Sequence, residues 1–247
     1  MEILKDIYHL DNPILDDAFD RTVVNLYLEK RANGAQVFMI CGCEPGTGAT
    51  TVSINLAVAM AAAGWQTLLI DADLRKENRF KRLGQTKKTL SEYLGGSPCD
   101  TCDIVMNTNH PGLSYVSGGA SGTNPISLLG SPKMDAFLCG MKAQYDFIMI
   151  DTPSPQAAAD AYILGGMSDQ IILVAAWNHT ATEQLRQTKK NLEEIGASIL
   201  GVIVNRIEPE SYNHIKRNHK YFIDKKYQIH ATPIQANDVK KETADAL

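Results

Sequence analysis

The sequence has few of the features that mark secreted or membrane proteins. Its five cysteines are an odd number at irregular spacing, which does not indicate a disulfide framework, and the single C-x-x-C at Cys99 and Cys102 has no second pair to complete a zinc site. The longest apolar run, Leu56 to Trp65, is about half of a membrane span, and Met1-Glu2 is not the basic start of a secretory signal. We therefore expect a soluble protein of the reducing cytoplasm.

The chain also carries little net charge. Its formal charge of −4 over 247 residues argues against a general nucleic-acid binder, because such proteins present basic surfaces to phosphate. Hydrophobic residues make up 44% of the sequence and charged residues 21%, as in ordinary globular proteins. A sizeable core is expected, and no nucleic-acid partner.

Short apolar runs alternate with segments of helical periodicity. The predicted strands are Gln36–Cys41, Thr67–Ile70, Leu113–Val116, Phe147–Ile150, Gln170–Ala175 and Ile199–Val204. The predicted helices are one from about Asp11 to Lys30, Thr50–Ala63, Ser131 to about Tyr145, and Thr182–Ile195. Strands that are apolar throughout and separated by helices predict an α/β fold, a single doubly wound, mostly parallel sheet with helices on both faces. Residues 1–207 would form this domain with its N-terminal helix, and residues 208–247 a polar C-terminal extension of it.

A glycine-rich turn lies between the first predicted strand and its helix, which is the context of a phosphate-binding P-loop. Its residues are Cys43, Glu44, Pro45, Gly46, Thr47, Gly48, Ala49, Thr50 and Thr51. The glycines allow backbone N–H groups to turn toward phosphate oxygens, and the helix N-terminus favours the same anion. Thr50 stands where a hydroxyl ligates Mg²⁺. We expect the segment from Glu44 to Thr51 to bind ATP or ADP with Mg²⁺.

This loop departs from the motif Gly-x-x-x-x-Gly-Lys-Ser/Thr at two positions. Cys43 replaces the first glycine, and Ala49 replaces the lysine that reaches the β- and γ-phosphates. A hydrogen bond to a charged group contributes roughly 1.5–3 kcal/mol, and tenfold in rate requires about 1.4 kcal/mol. The loss should slow phosphoryl transfer by roughly one to two decades or more, while binding can persist on backbone amides and magnesium.

Three aspartates follow two of the predicted strands. Asp71 and Asp73 come after Thr67–Ile70, and Asp151 comes after Phe147–Ile150. In open α/β sheets the ligand binds at the carboxyl ends of the strands, so these carboxylates are candidates for catalysis, with Thr50, Asp71 and Asp151 as candidate Mg²⁺ ligands. Arg75 could pair with Asp71 or face the phosphates.

Asn205 and Arg206 end the last predicted strand and are further candidates for nucleotide binding. The asparagine amide could read adenine or could start a turn, and the spacing alone leaves both open.

Four segments together resemble the bacterial tyrosine kinases of capsular and exopolysaccharide synthesis, within the wider MinD/ParA-like superfamily. They are Cys43–Thr51, Leu68–Lys76, Tyr145–Pro153 and Gly118 to Met134, the last with Asn-Pro-Ile-Ser-Leu-Leu-Gly-Ser. The resemblance implies an ATP-dependent autokinase with a membrane-anchored polysaccharide co-polymerase as its activator. In that family Asp71 and Asp73 would match the second Walker A motif and Asp151 the Walker B aspartate, and Asn205 would match the residue that contacts adenine in the wider superfamily. The resemblance is also compatible with a homo-oligomer and with a peripheral position at the inner face of the membrane.

Three departures from the family pattern coincide. The loop lysine is Ala49, the family's Glu-x-x-Arg-x-x-Arg helix motif reads Asp17, Asp20 and Val23, and the C-terminal tyrosine cluster is reduced to the scattered Tyr212, Tyr221 and Tyr227. They favour a degenerate, catalytically impaired member that acts as a regulatory partner, a pseudokinase.

Two other functions are compatible with the sequence. The chain could be a working tyrosine kinase, with Arg75 or Lys76 in place of the lysine, or one inactivated by an engineered Ala49. It could also be a dimerising ATPase of the MinD/ParA type, although those proteins carry an early signature lysine where this loop has Glu44.

Overall fold

The computed structural model describes residues 13–75, 88–120, 122 and 124–207. Its strands are β1 (Val37–Gly42), β2 (Thr67–Asp71), β3 (Val105–Asn107), β4 (Leu113–Val116), β5 (Phe147–Thr152), β6 (Gln170–Ala176) and β7 (Ile199–Asn205). Its helices are α1 (Pro13–Asn33), α2 (Ala49–Ala62), α3 (Leu90–Leu94), α4 (Thr101–Ile104), α5 (Pro125–Leu129), α6 (Pro132–Lys142), α7 (Asp160–Met167) and α8 (Thr182–Glu194).

The strands of the described residues form one sheet in the order β3-β4-β2-β5-β1-β6-β7. All neighbours run parallel except the β3–β4 pair at one edge. The expected mostly parallel, doubly wound sheet is confirmed. Because β1 lies between β5 and β6, the loop that follows β1 meets the ends of both neighbouring strands.

Apolar side chains of the central strands alternate between two cores, one on each face of the sheet. On β1, Phe38 and Ile40 belong to the core beneath α1 and α2, whereas Val37 and Met39 belong to the core beneath the other helices. Both sets are fully buried. Burial on both faces explains why β1 is apolar throughout, rather than alternately apolar and polar.

Predicted and observed elements agree within a few residues at their ends. The strand Leu113–Val116 is as predicted, and β2, β5, β6 and β7 each extend one or two residues further, so that Asp71, Asp151 and Asn205 belong to strands rather than to loops. The short elements β3, α4, α5 and α7 were not predicted, since runs of three to eight residues give little periodic signal. Residues 208–247, including the three tyrosines of the C-terminal segment, and Lys76 lie outside the described residues.

None of the helices in the described ranges is both long and apolar enough to cross a bilayer.

Candidate functional site

The turn between β1 and α2 adopts a conformation that only glycine accepts easily at two positions. Gly46 and Gly48 have φ angles of +85° and +87°. A Cβ atom on Gly48 would lie 2.4 Å from Nδ2 of Asn205, so a side chain there would displace the Asn205 amide in addition to straining the backbone. The glycine that precedes Ala49 therefore also allows the end of β7 to approach the turn.

Hydrogen bonds from neighbouring strands and helices hold this turn at both ends. The Cys43 N–H donates to the Val174 carbonyl of β6 at 2.9 Å, and the Cys43 carbonyl accepts from Oγ1 of Thr188 on α8 at 3.4 Å. Nδ2 of Asn205 donates to the Thr47 carbonyl at 2.9 Å. The shape of the turn is thus fixed by the protein itself.

The N-terminus of α2 opens toward the turn. The Val52 N–H bonds to the Gly48 carbonyl at 3.0 Å as the helical ladder begins, which leaves the amides of Ala49, Thr50 and Thr51 ahead of the ladder. Gly48 supplies no side-chain cap, and the first turn of α2 contains no acidic residue. A helix end of this kind attracts an anion through its N–H groups and its dipole.

At the position of the motif lysine, Ala49 has only a methyl side chain and no ammonium group. Its side chain packs against the core beneath α1 and α2, alongside buried residues such as Val52. The turn therefore keeps the backbone of a phosphate loop and lacks its cation.

The carboxylate of Asp151 is bound to the first two turns of α2. Thr50 Oγ1 donates to Asp151 Oδ2 at 2.7 Å, and Ser53 Oγ lies 3.0 Å from Asp151 Oδ1. Asp151 is 1% exposed. The sequence predicted Thr50 and Asp151 as ligands of the same Mg²⁺, and the structure places their side chains in direct contact.

Asp71 lies beside this cluster, and Asp73 lies further along the chain. Asp71 and Asp151 are register partners on the parallel strands β2 and β5. Asp71 Oδ1 accepts from the Asp73 N–H at 3.0 Å, and Asp73 Oδ1 accepts from the Arg75 N–H at 3.2 Å. Both aspartates are almost fully buried and shape the chain after β2 through backbone amides. The structure therefore brings two of the three predicted carboxylates side by side.

The side chain of Arg75 does not follow either predicted option. Its Nη1 forms an ion pair with Oδ2 of Asp160, a fully buried carboxylate in the first turn of α7. The Asp160 carboxylate is fully buried while the Arg75 side chain is 37% exposed, so solvent weakens the pair, but loss of Arg75 would still leave a buried charge without this partner. Arg75 is held away from the role of a replacement for the loop lysine.

A cavity of about 280 Å³ lies over the turn. Its lining combines the loop, the end of β5 and the residue after β7: Gly42, Glu44, Pro45, Gly46, Thr47, Gly48, Ala49, Thr50, Thr152, Pro153, Ser154, Ala157 and Arg206. Within the described residues, the buried hydroxyl oxygens of Thr152 and Ser154 have no hydrogen-bond partner. Buried polar atoms are nearly always satisfied, so these two have hydrogen-bonding capacity available for a bound polar molecule.

Asn205 and Arg206 both reach the loop. The amide of Asn205 bonds to the loop backbone at Thr47, a contact that the sequence did not predict, and Arg206 lines the cavity with a φ of +60°. Left-handed φ angles are uncommon in residues other than glycine, and they concentrate at functional sites.

The cysteine thiols near the loop are not candidate nucleophiles. Burial raises the pKa of Cys43 to about 11, and the neighbouring charge of Glu44 adds to the shift. Burial also raises the pKa of Cys41 far above its ordinary value. Both remain protonated at neutral pH, and a thiol is a poor nucleophile compared with a thiolate.

Sequence reasoning missed Ser53, Thr152 and Ser154. Ser53 falls one helical turn after Thr50. This i, i+3 spacing could have indicated that both hydroxyls lie on the same face of α2. Thr152 and Ser154 were visible as polar residues after Asp151, but only the fold shows that they face the loop.

A phosphate-binding turn after a central strand, a helix N-terminus and a hydroxyl–carboxylate cluster on the next strand define a P-loop nucleotide-binding domain. Residues 38–236 match the family model described as CobQ/CobB/MinD/ParA nucleotide binding domain. The chain belongs to this family.

Two relatives show which branch the chain resembles. Tyrosine-protein kinase CpsD of Streptococcus agalactiae is 33% identical over 195 residues, which cover 78% of this chain and 82% of that protein. EpsB of Ralstonia solanacearum is 31% identical over 195 residues, but these make up only 26% of that protein. The chain thus matches about four fifths of one relative and about a quarter of the other.

Solved structures lead to the same branch. The kinase domain of the Escherichia coli tyrosine kinase ETK superposes with a TM-score of 0.72 at 25% identity, covering 84% of this chain and 86% of that one. The septum site-determining protein MinD of Pyrococcus horikoshii, complexed with Mg-ADP, has a TM-score of 0.58 at 26% identity. The match covers 73% of this chain and 76% of that one. The resemblance to bacterial tyrosine kinases is confirmed, together with the P-loop fold.

Proposed function

We propose that this chain binds Mg-ADP or Mg-ATP as a regulatory member of the bacterial tyrosine kinase family and transfers little or no phosphate to tyrosine. The observation that carries the proposal is the combination of an intact phosphate turn with Ala49 at the lysine position. Binding depends on groups that are present, and transfer depends on one that is absent.

The residues of the site fit a magnesium-bound polyphosphate. Mg²⁺ usually keeps several waters and takes one or two carboxylates together with phosphate oxygens, rather than a complete protein cage. Accordingly, the described residues contain no group of three or more His, Cys, Asp or Glu side chains that could hold a metal alone. Thr50 would hold the ion with Asp71 and Asp151, and the ion would offset phosphate charge. The free hydroxyls of Thr152 and Ser154 suit the same ligand.

Transfer is impaired because the position of the loop lysine carries only the methyl group of Ala49. Arg75 is committed to Asp160, and Ala49 is packed against the core. The three aspartates predicted to be catalytic would then serve mainly to bind magnesium and to order the chain after β2. Charge that develops during transfer would lack its usual partner, which removes a main source of catalysis in P-loop enzymes.

The family resemblance supports a partner and a location. We propose that the chain works in the cytoplasm with a membrane-anchored polysaccharide co-polymerase, as a nucleotide-dependent scaffold. The ring-assembly motif of the family is not restored by the fold, because Val23 at its third position is 7% exposed and packs in the core, and Asp17 pairs with Arg21 on its own helix.

Calorimetric titration with ADP and ATP, with and without Mg²⁺, tests nucleotide binding. We expect saturable binding that Mg²⁺ strengthens, and flat titrations under all four conditions would overturn the proposal.

A matched pair of glycine variants locates the binding site. Gly48→Ala should abolish binding, since its Cβ would meet the Asn205 amide at 2.4 Å and its φ is +87°. Gly34→Ala carries the similar φ of +74° after α1 with no atom within 4 Å, so it should lose only stability. Equal loss of binding in both variants would mean that the turn is not the site.

A further inference from the structure

The hydroxyl of Ser53 occupies an unusual position among the residues of α2. Ser53 is fully buried, and its Oγ lies 3.0 Å from the Ala49 carbonyl and 3.0 Å from Asp151 Oδ1. A serine in the middle of a helix commonly bonds only to the carbonyl four residues earlier, as the first contact does. The second contact reaches another strand.

One hydroxyl hydrogen serves these two acceptors, and the carboxylate is the stronger one. Hydrogen bonds to an ionised acceptor are roughly twice as strong as those between neutral groups. Asp151 is 1% exposed, so water cannot replace a lost donor at Oδ1. The Ser53 hydrogen is therefore directed mainly at Asp151, while the Ala49 carbonyl keeps the hydroxyl in place.

Thr50 and Ser53 divide the carboxylate between them. Thr50 Oγ1 donates to Oδ2 at 2.7 Å and Ser53 to Oδ1, from positions one helical turn apart. Two donors on one rigid helix fix both the position of the carboxyl group and its rotation about the Cβ–Cγ bond. Because the Thr50 hydroxyl donates its hydrogen to Asp151, the lone pairs of Thr50 Oγ1 point away from that carboxylate.

We propose that Ser53 is a positioning residue for the magnesium site, which sets the orientation of Asp151 and, through it, the direction of the Thr50 lone pairs. This inference rests on the proposed function. Ser53 itself touches neither nucleotide nor metal. Loss of a partner that orients a metal-binding group typically reduces metal affinity by roughly 10–100-fold.

The test compares Ser53→Ala with Ser168→Ala in the full chain. Ser168 Oγ donates to the Leu164 carbonyl at 2.7 Å, also four residues earlier, but at the end of α7. The control variant therefore loses the same type of bond to a backbone carbonyl, but no bond to a carboxylate. ADP affinity is measured by calorimetry with and without Mg²⁺, and thermal unfolding is recorded for each protein.

We expect Ser53→Ala to reduce the Mg²⁺-dependent gain in ADP affinity by roughly tenfold or more, with Mg²⁺-free affinity close to that of Ser168→Ala and a lower unfolding temperature, because a buried carboxylate oxygen loses its donor. An unchanged gain would overturn the inference. Equal losses with and without Mg²⁺, or a variant that unfolds, would also overturn it and assign Ser53 a structural role. Flat titrations of the unmodified protein would instead overturn the proposed function, and the inference with it.

Discussion

The two ends of the parallel sheet use carboxylates in opposite ways. At the amino ends, Asp169 Oδ2 accepts the N–H groups of Gln36 and Val37 at 2.8 Å each, and Oδ1 accepts from Lys142 Nζ at 3.1 Å. At the carboxyl ends, the nearly fully buried Asp151 accepts hydrogen bonds from the side-chain hydroxyls of Thr50 and Ser53.

The hydroxyl groups follow the same division. Thr67, at the amino end of β2, donates to the Trp65 carbonyl at 3.1 Å. Thr152, at the carboxyl end of β5, has a buried hydroxyl without a partner in the described part of the chain. Unmet polar atoms are not confined to the carboxyl end, since Oε1 of Gln170 at the start of β6 is also buried without a partner among the described residues, but the Thr152 hydroxyl lies in the lining of the cavity over the phosphate turn. The comparison teaches that the functional end is recognised by unmet polar groups that line a cavity beside the phosphate turn.

The largest effect should come from Asp151→Asn. Because the charge between Thr50 and Ser53 is removed, the Mg²⁺-dependent part of nucleotide affinity should fall by roughly 10–100-fold, measured by calorimetry. Asp146→Asn is the matched control, since Asp146 precedes the same strand and its Oδ2 accepts the Gln66 N–H at 3.0 Å. It should lower stability and leave the Mg²⁺ effect intact. Similar binding losses in both variants would contradict the division between the two ends.

A smaller effect, on stability, is expected for Asp169→Asn. Partial burial raises the pKa of Asp169, but the N–H groups of Gln36 and Val37 and the Lys142 ammonium lower this pKa by more, so that it lies below its ordinary value. The charged form therefore stabilises the fold above the unfolded pKa of about 3.9, and this contribution is lost as the pH falls through the folded pKa.

Since the Asp169 side chain is 31% exposed, solvent weakens the contribution, and we expect the variant to be less stable by about 1–2 kcal/mol at pH 7. Urea unfolding at pH 7, 5 and 3 checks this. The difference should persist at pH 5 and shrink at pH 3, and a difference that does not vary with pH would argue against the charge as its source.

The smallest effects should have opposite signs at the two ends. Thr152→Val replaces a buried, unpartnered hydroxyl and should stabilise the protein by up to about 1 kcal/mol, whereas Thr67→Val loses a bond and should destabilise it by about 1 kcal/mol. Thermal unfolding of both variants measures the two shifts. Destabilisation by Thr152→Val would show that its hydroxyl is already satisfied in the free protein.

Much of the fold could be predicted from the sequence because the central strands are buried on both faces. Val37 to Ile40 form a continuous apolar run, and such runs bounded by helices favour a parallel sheet. The antiparallel edge strand β3 could not be predicted, since it has only three residues, none of them fully buried, and depends on pairing with β4.

The candidate site divides in the same manner. Local motifs identified the phosphate turn, Thr50 and the aspartates at the strand ends. They could not show that Arg75 pairs with Asp160, 85 residues away, or that Asn205 bonds to Thr47 across 158 residues. Such contacts depend on the sheet order, which places β1 beside β5 and β6. The roles of these residues in binding and transfer stay predictions.

The most direct test of the account is the appearance of phosphotyrosine on the purified protein incubated with Mg-ATP, under conditions where calorimetry shows that the nucleotide is bound. We predict that the nucleotide binds and that no phosphotyrosine accumulates on the unmodified protein. The Ala49→Lys variant should gain only weak phosphotyrosine formation. Phosphotyrosine on the unmodified protein would contradict the account, and strong activity restored by Ala49→Lys alone would show an otherwise complete kinase site.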